Sequence, residues 1–285
     1  MGTPLYEVCE RLIPMMGEGA TGGVPDGSLS TTAFDCAALG IRSDDFYDDY
    51  YGRFRSGPLR GTSFTVTGFD QEATVGNTTT RGKVTFTPPA SVAVTAADIF
   101  YLSVEFRPEE LVSAVNLAIA MVSQKALSDI TSDTLTVATD ASGNTLYEYT
   151  VPSGIDYIEQ VYMESADAGR YSHSGNRIDE RHWRIRRGPT PRLWFDDDLV
   201  SLTADRHLRI VGQRYAQELS ADSDETTIDP GWLVFQAKAL LHQSRIRGSG
   251  ADFEEHETQM RLSQAMADSR RYLVEVMPRG TRVAF

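Results

Sequence analysis

Two long stretches of this chain alternate apolar and polar residues, and helical periodicity appears only outside them. The first β-like stretch runs from about Ser28 to Leu102, and the second from about Leu135 to Tyr215. Phe64 and Val66 fall on one face of "SFTVTGFD", and Val84 and Phe86 on one face of "GKVTFTPP", which Pro88 and Pro89 stop. The second stretch offers the strands "TLYEYTVP", "DYIEQVYME", "HWRIRR", "RLWFD" and "HLRIVGQRY". Turn signals at Ser142-Gly143-Asn144 and Ser153-Gly154 separate the first of them.

Four helix-like segments flank these stretches. The first covers Pro4 to about Met16, with Thr3 as N-cap and Leu5, Val8, Cys9, Leu12 and Ile13 on one stripe. Glycines in "GEGATGG" follow it and read as a flexible link. The second covers about Pro108 to Ser128 and is apolar almost all round between Leu111 and Val122, the pattern of a helix at the centre of a bundle. The third begins at Asp229 and Pro230, presents Leu233, Ala237, Leu240, Leu241 and Ser244 inward, and closes at Gly248 to Gly250. The fourth runs from about Asp252 to Met277, where Phe253, Met260, Ala267 and Val274 recur every seven residues.

The expected class is therefore α+β: a core bundle of four helices with two long β-strand insertions. Residues 1–27, 104–130 and 228–285 would form the bundle and a C-terminal tail, with insertions at 28–103 and 131–227.

A length of 285 residues suffices to bury a sizeable core, and 41% hydrophobic content excludes wholesale disorder. No segment approaches the roughly 18 apolar residues that span a bilayer, and no secretory leader is expected from the first residues. Cys9 and Cys36 are too few for a disulfide framework. A formal charge of −13 argues against a non-specific nucleic-acid binder, but suits a surface past which DNA slides without sticking.

Chemistry is hard to find. Of the five histidines, His173, His182, His207, His242 and His256, no two have metal-ligand spacing. His242 and His256 fall on separate expected helices; they could meet, but nothing in the sequence marks them as a site. Asp44, Asp45, Asp48 and Asp49, and separately Asp222, Asp224 and Glu225, read as solvated acidic loops, since no calcium-loop pattern is present. No nucleophile elbow, Walker loop or dinucleotide fingerprint occurs, and "SHSG" at Ser172 to Gly175 pairs only sequence neighbours. No catalytic, cofactor-binding or metal residue is expected. The single basic concentration is "RHWRIRRG". As a strand it turns His182, Arg184 and Arg186 to one side and Trp183 and Ile185 to the other, a solvated face or a dock for an acidic surface such as a neighbouring copy.

The order of segments resembles the head–tail connector proteins of tailed bacteriophages, also called adaptor or neck proteins. In the N-terminal half, "SLSTTAFD" leads to "SDDFYDDYYGRF", then "SGPLRGTSFTVTGFD", "VTFTPPASVAVTAADIFYL" and "RPEELVSAVNLAIAMV". In the C-terminal half, "YTVPSGIDYIEQVYM", "HLRIVGQRYAQEL" and "DPGWLVFQAKALLHQ" follow. The resemblance implies a virion protein assembled as a ring of about twelve copies, closed by one repeated heterologous interface. It would dock on a portal protein, present a platform to the next neck or tail protein, and let double-stranded DNA pass through its lumen without specific binding. The resemblance implies a place in the virion neck, assembly in the host cytoplasm, and no membrane partner. The expected partner-facing residues are Arg279, Arg282, Val283 and Phe285 in an extended C-terminal tail, Arg184 and Arg186 on the basic strand, and Pro58 and Leu59 at a glycine-flanked turn, where packing is the stronger role. A tail-completion or tail-tube-associated protein is the nearest alternative. A carbohydrate-binding module stacking sugars on the aromatics of "DDFYDDYYGRF", Trp183 and Trp194 comes next, and a cell-wall hydrolase last.

Overall fold

A computed structural model describes residues 2–16, 21–27, 29–75, 78–166, 169–171, 176–246 and 253–283. Gly248 to Gly250, Asp252, Ser172 to Gly175 and Phe285 lie outside them. Among the described residues the chain has mixed helices and sheets, but it is strand-rich, with four α-helices and sixteen strands. This corrects the expectation of a helical bundle bearing two strand insertions. The chain divides into two compact units, one of residues 1–121 and 217–274, the other of residues 122–216 and 275–285.

The first unit holds the four helices: α1 (Leu5–Leu12), α2 (Pro108–Val122), α3 (Pro230–Arg245) and α4 (Phe253–Arg270). It also holds a six-stranded antiparallel sheet. Across that sheet the order is Thr21–Gly23, Phe100–Ser103, Tyr51–Phe54, Ser63–Val75, Thr78–Thr87 and Ala33–Asp35. Residues 21–23, read as part of a flexible link, are thus an edge strand, paired with Phe100–Leu102. Alternation puts Phe54, Phe64, Phe69, Phe86 and Phe100 on the inner side, where with Phe34 they form an aromatic core. Phe34 has four ring neighbours, at centroid distances of 4.7 to 6.1 Å, in the tilted and edge-on arrangements that aromatic quadrupoles favour. Gly52 sits under this core because a Cβ there would lie 2.2 Å from the Phe64 ring.

The glycine-flanked turn at residues 56–61 is a packing device. Gly57 and Gly61 both take positive φ, +72° and +83°, which only glycine adopts without strain. Fully buried Asp98 accepts from the backbone N–H of Leu59 at 2.9 Å and from the N–H and hydroxyl of Thr95 at 2.7 Å each. Leu59, 1% exposed, belongs to the aromatic core and Pro58 stays outside it. The Leu59 side chain is therefore closed to a partner.

The helices differ from expectation at their ends and faces. Pro4, not Thr3, occupies the N-cap of α1 without a side-chain cap bond, because Thr3 pairs with Thr226 in a short strand. The α1 stripe itself, Leu5, Val8, Cys9 and Leu12, is buried as its spacing dictates. Asp229 caps α3, its carboxylate accepting from the Trp232 N–H at 2.7 Å. Both α1 and α4 pack on α3. Helix α2 is not central: it stops at Val122, and Leu117 and Met121 are 53% and 57% exposed. In α4, Ala267 is buried but Leu262 and Met266 face solvent, and Val274 follows a 3-10 turn at Arg271–Leu273. The seven-residue repeat thus meets one neighbouring helix rather than a surrounding bundle.

The second unit is a β-sandwich. One sheet orders Arg177–Ile178, Tyr157–Met163, His207–Tyr215 and Leu127–Thr136. The other orders Trp183–Arg186, Arg192–Phe195 and Glu148–Thr150. Their inner faces share a core that includes Ile158, Val161, Leu208 and Ile210 from the first sheet and Tyr149, Trp183, Leu193 and Phe195 from the second. Residues 127 and 128, assigned to the second helix by sequence, begin a strand whose polar residues alternate outward.

The C-terminal tail folds onto this unit. Thr281–Arg282 pairs with Tyr157–Ile158, and the Val283 N–H donates to the Asp156 carbonyl at 2.8 Å. Gly280 permits the approach with φ +85°, since a Cβ there would lie 2.1 Å from the Ile158 carbonyl oxygen. The Arg279 backbone N–H donates to Gln213 Oε1 at 2.7 Å, while its guanidinium binds Asp129 and lies 3.7 Å from Glu159. Val283 is buried in the sandwich core. The segment expected to reach a partner therefore completes its own sheet along the described residues, with Arg282 left exposed.

Candidate functional site

Two features rise above packing, one in each unit. The first is the outer face of the three-stranded sheet in the second unit. Strand register sets Arg184 opposite Trp194 and Arg186 opposite Arg192, while Glu148 flanks Trp194 from the third strand. Cross-strand partners point to the same side, so three arginines, one tryptophan and one glutamate share this face. Trp183, Leu193, Phe195 and Tyr149 occupy the buried side, as the alternation of "HWRIRR" and "RLWFD" requires. Arg184 lies 4.2 Å and Arg186 5.4 Å from the Trp194 ring, and Arg186 reaches Glu148 at 3.3 Å. Stacking on the ring holds the guanidiniums in place with their edges open to further hydrogen bonds.

The acidic counterpart is the loop at residues 44–49 of the first unit. Tyr47 and the following Tyr50 turn inward and are buried, Tyr47 edge-on to Phe69 at 4.8 Å, while Phe46 stays exposed. Asp44, Asp45 and Asp49 are left exposed. Asp45 and Asp49 take positive φ, 61° and 65°, and their N–H groups donate to the Phe69 and Val66 carbonyls. Burial and the neighbouring Asp45 push the Asp48 carboxyl above its usual range. Of the aromatics proposed for sugar stacking, Tyr47, Tyr50 and Trp183 lie inside cores, while Phe46, Tyr51 and Trp194 each carry an arginine over the ring.

The second feature is a histidine pair that spacing alone does not reveal. His242, on the last turns of α3, and His256, on the first turn of α4, bring their Nδ1 atoms to 3.0 Å. Glu105, between the strand Phe100–Ser103 and α2, places Oε1 3.3 Å from His256 Nε2. The three residues each offer a ligating atom, all within 4.8 Å of one another. They border a cavity of about 410 Å³ that Lys238, Glu255 and Gln259 also line. His242 is 3% exposed, and its Nε2 is buried without a hydrogen-bond partner. Burial, then Lys238 and His256, push its imidazole down to about 4, so it is neutral at pH 7. Lys238 is itself lowered by burial and donates to Gln259 Oε1 at 3.0 Å. The signal available in sequence was a histidine in the last turn of one helix and another in the first turn of the next, which a helical hairpin brings together.

A scan against protein-family models finds no match for this chain, and a search of curated proteins finds none either. Among the described residues no helix is long and apolar enough to cross a membrane.

Proposed function

We propose that the chain is a structural subunit of a tailed-phage virion, a head–tail connector protomer that closes into a ring of about twelve copies beneath the portal. In this reading the ring sits in the virion neck, extends the DNA channel and offers a platform to the next neck or tail protein. The observation that carries it is charge segregation: a fixed basic face of Arg184, Arg186 and Arg192 in a chain of net charge −13 that also exposes Asp44, Asp45 and Asp49. A basic patch on one copy and an acidic patch on the next make a heterologous contact, the kind that closes rings, and opposite charges guide the encounter and its register. Exposed Leu117, Met121, Leu262 and Met266 add apolar surface of the sort that assembly covers. The remaining acidic surface disfavours adhesion to phosphate, so DNA would pass without being held.

The test is assembly with the cognate portal, followed by electron microscopy and native mass spectrometry. Wild-type chain should decorate the portal as a closed ring. The Arg184→Glu/Arg186→Glu double variant should leave free chain, and adding Asp44→Arg/Asp45→Arg to it should restore rings. Rings unaffected by the first pair of changes would refute the interface, and wild-type chain that never joins a portal would refute the connector reading.

A further inference from the structure

We infer that Glu105, His242 and His256 form a divalent transition-metal site, fitted best to Zn²⁺, which ties α3, α4 and the loop before α2 together. Two imidazoles and one carboxylate are a recurrent zinc donor set, with a fourth position filled by water. The geometry is close to what such an ion requires. Ligands at about 2.0–2.1 Å around a tetrahedral ion lie about 3.3 Å apart, and the two Nδ1 atoms are 3.0 Å apart. Glu105 offers an oxygen within 4.8 Å of one ring nitrogen of each histidine and stands 3.3 Å from His256 Nε2. Its side chain is about one-third exposed and leaves a loop rather than a helix, so its carboxylate can swing from the Nε2 edge of His256 toward the Nδ1 edge to complete the set.

A bound ion stabilises the folded chain in proportion to its affinity. His242 Nε2 is buried without a hydrogen-bond partner, a cost to folding that ion binding through Nδ1 offsets in total stability without removing it. The cavity beside the pair gives an ion a path in and room for its water. Charge is compatible: Glu105 and Glu255 contribute two negative charges and Lys238 one positive, with both imidazoles neutral as ligands. Softer thiolate-seeking ions are disfavoured because the set holds no sulfur, and Mg²⁺ or Ca²⁺ would call for oxygen donors throughout.

The experiment uses the untagged full-length chain, stripped with a chelator and titrated with Zn²⁺ by calorimetry. Native mass spectrometry counts the ions, and circular dichroism of the metal-free variants checks their folding. The expected result is one Zn²⁺ per chain and a higher melting temperature. His256→Gln, at a partly exposed position, should bind at least about 100-fold more weakly, the scale seen when a group supporting a metal site is lost. Glu105→Gln should weaken binding by about 10-fold or more. Absence of stoichiometric binding by wild-type chain, or equal affinity in folded His256→Gln, overturns the site. Wild-type affinity in Glu105→Gln overturns the three-ligand set.

Discussion

The two units bury their cores by different means. The first packs phenylalanine rings edge to face under one six-stranded sheet and leans helices against each other around α3. The second closes two smaller sheets over a mainly aliphatic core and fastens it with its own C-terminal strand. Large rings fill space with few side chains but must interlock at fixed angles, whereas aliphatic residues on two facing sheets adapt more readily to a lost methyl group. The difference teaches where each unit is brittle: the first at individual rings and buried charges, the second at its edges.

The largest expected effect tests the contrast directly. Phe34→Ala removes a fully buried ring with four aromatic neighbours and should cost about 3–5 kcal/mol, and Leu208→Ala in the sandwich about 2–5 kcal/mol. Urea unfolding gives the totals, and hydrogen exchange assigns each loss to a sheet. A Leu208→Ala loss larger than that of Phe34→Ala would erase the distinction between ring-built and aliphatic cores.

Next comes a charge inside the first unit. Arg53 Nη2 meets Asp222 at 2.6 Å with both side chains largely buried, beside Cys9, whose thiol burial pushes up to about 12. Removing one partner of a buried pair strands the other, so Arg53→Ala should cost about 3 kcal/mol, with Asp222→Asn in the same background recovering part of it. A double variant no better than Arg53→Ala would show that packing, not charge, is lost.

A smaller change addresses the helices. Asp229→Ala deletes the α3 cap and should cost about 1 kcal/mol, read as a lower melting temperature. Asp229→Ser should keep most of the stability, and a loss equal to that of Ala would rule out capping as the cause.

The mildest concerns the edge of the sandwich. The Arg279 guanidinium holds the Asp129 carboxyl below its usual range, with Gln213 assisting. A carboxylate lowered in the folded state contributes stability that is full above its unfolded value of about 3.9 and is lost as pH falls through the folded value. Exchange at the amides of residues 281–283 should therefore quicken as the pH-corrected rate is followed from 5 toward 3. Asp129→Asn should reproduce that loosening at pH 7; protection unchanged by either would mean that strand pairing alone fixes the tail.

Much of this architecture was legible from residue order. Alternation located strands such as Tyr157–Met163, Trp183–Arg186, Arg192–Phe195 and His207–Tyr215, because a residue in a sheet faces one of two sides whatever lies beyond it, but it missed most of Leu127–Thr136. Asp229-Pro230 marked the start of α3, since capping is satisfied within four residues. The α1 stripe was equally local. Arg184 and Arg186 were placed on an outward face by the same alternation, although their stacking on Trp194 awaited strand pairing.

What lay beyond the sequence was every question of which surface meets which. Leu111 to Val122 is apolar almost all round, yet α2 keeps Leu117 and Met121 in solvent, because periodicity states how much a helix can bury, not how many neighbours it has. The tail's "RGTRVAF" carried no sign that it would pair with Tyr157–Ile158, more than a hundred residues earlier. His242 and His256 are separated by 14 positions, and although a helical hairpin brings such positions near each other, the 3.0 Å approach of their Nδ1 atoms depends on how α3 and α4 pack. Residue types and their spacing fixed the elements, because hydrogen bonding and side-chain direction are decided within a few residues. The contacts that would bind an ion or release an edge strand were decided by the tertiary fold, where long-range packing chooses among faces that the sequence leaves equivalent.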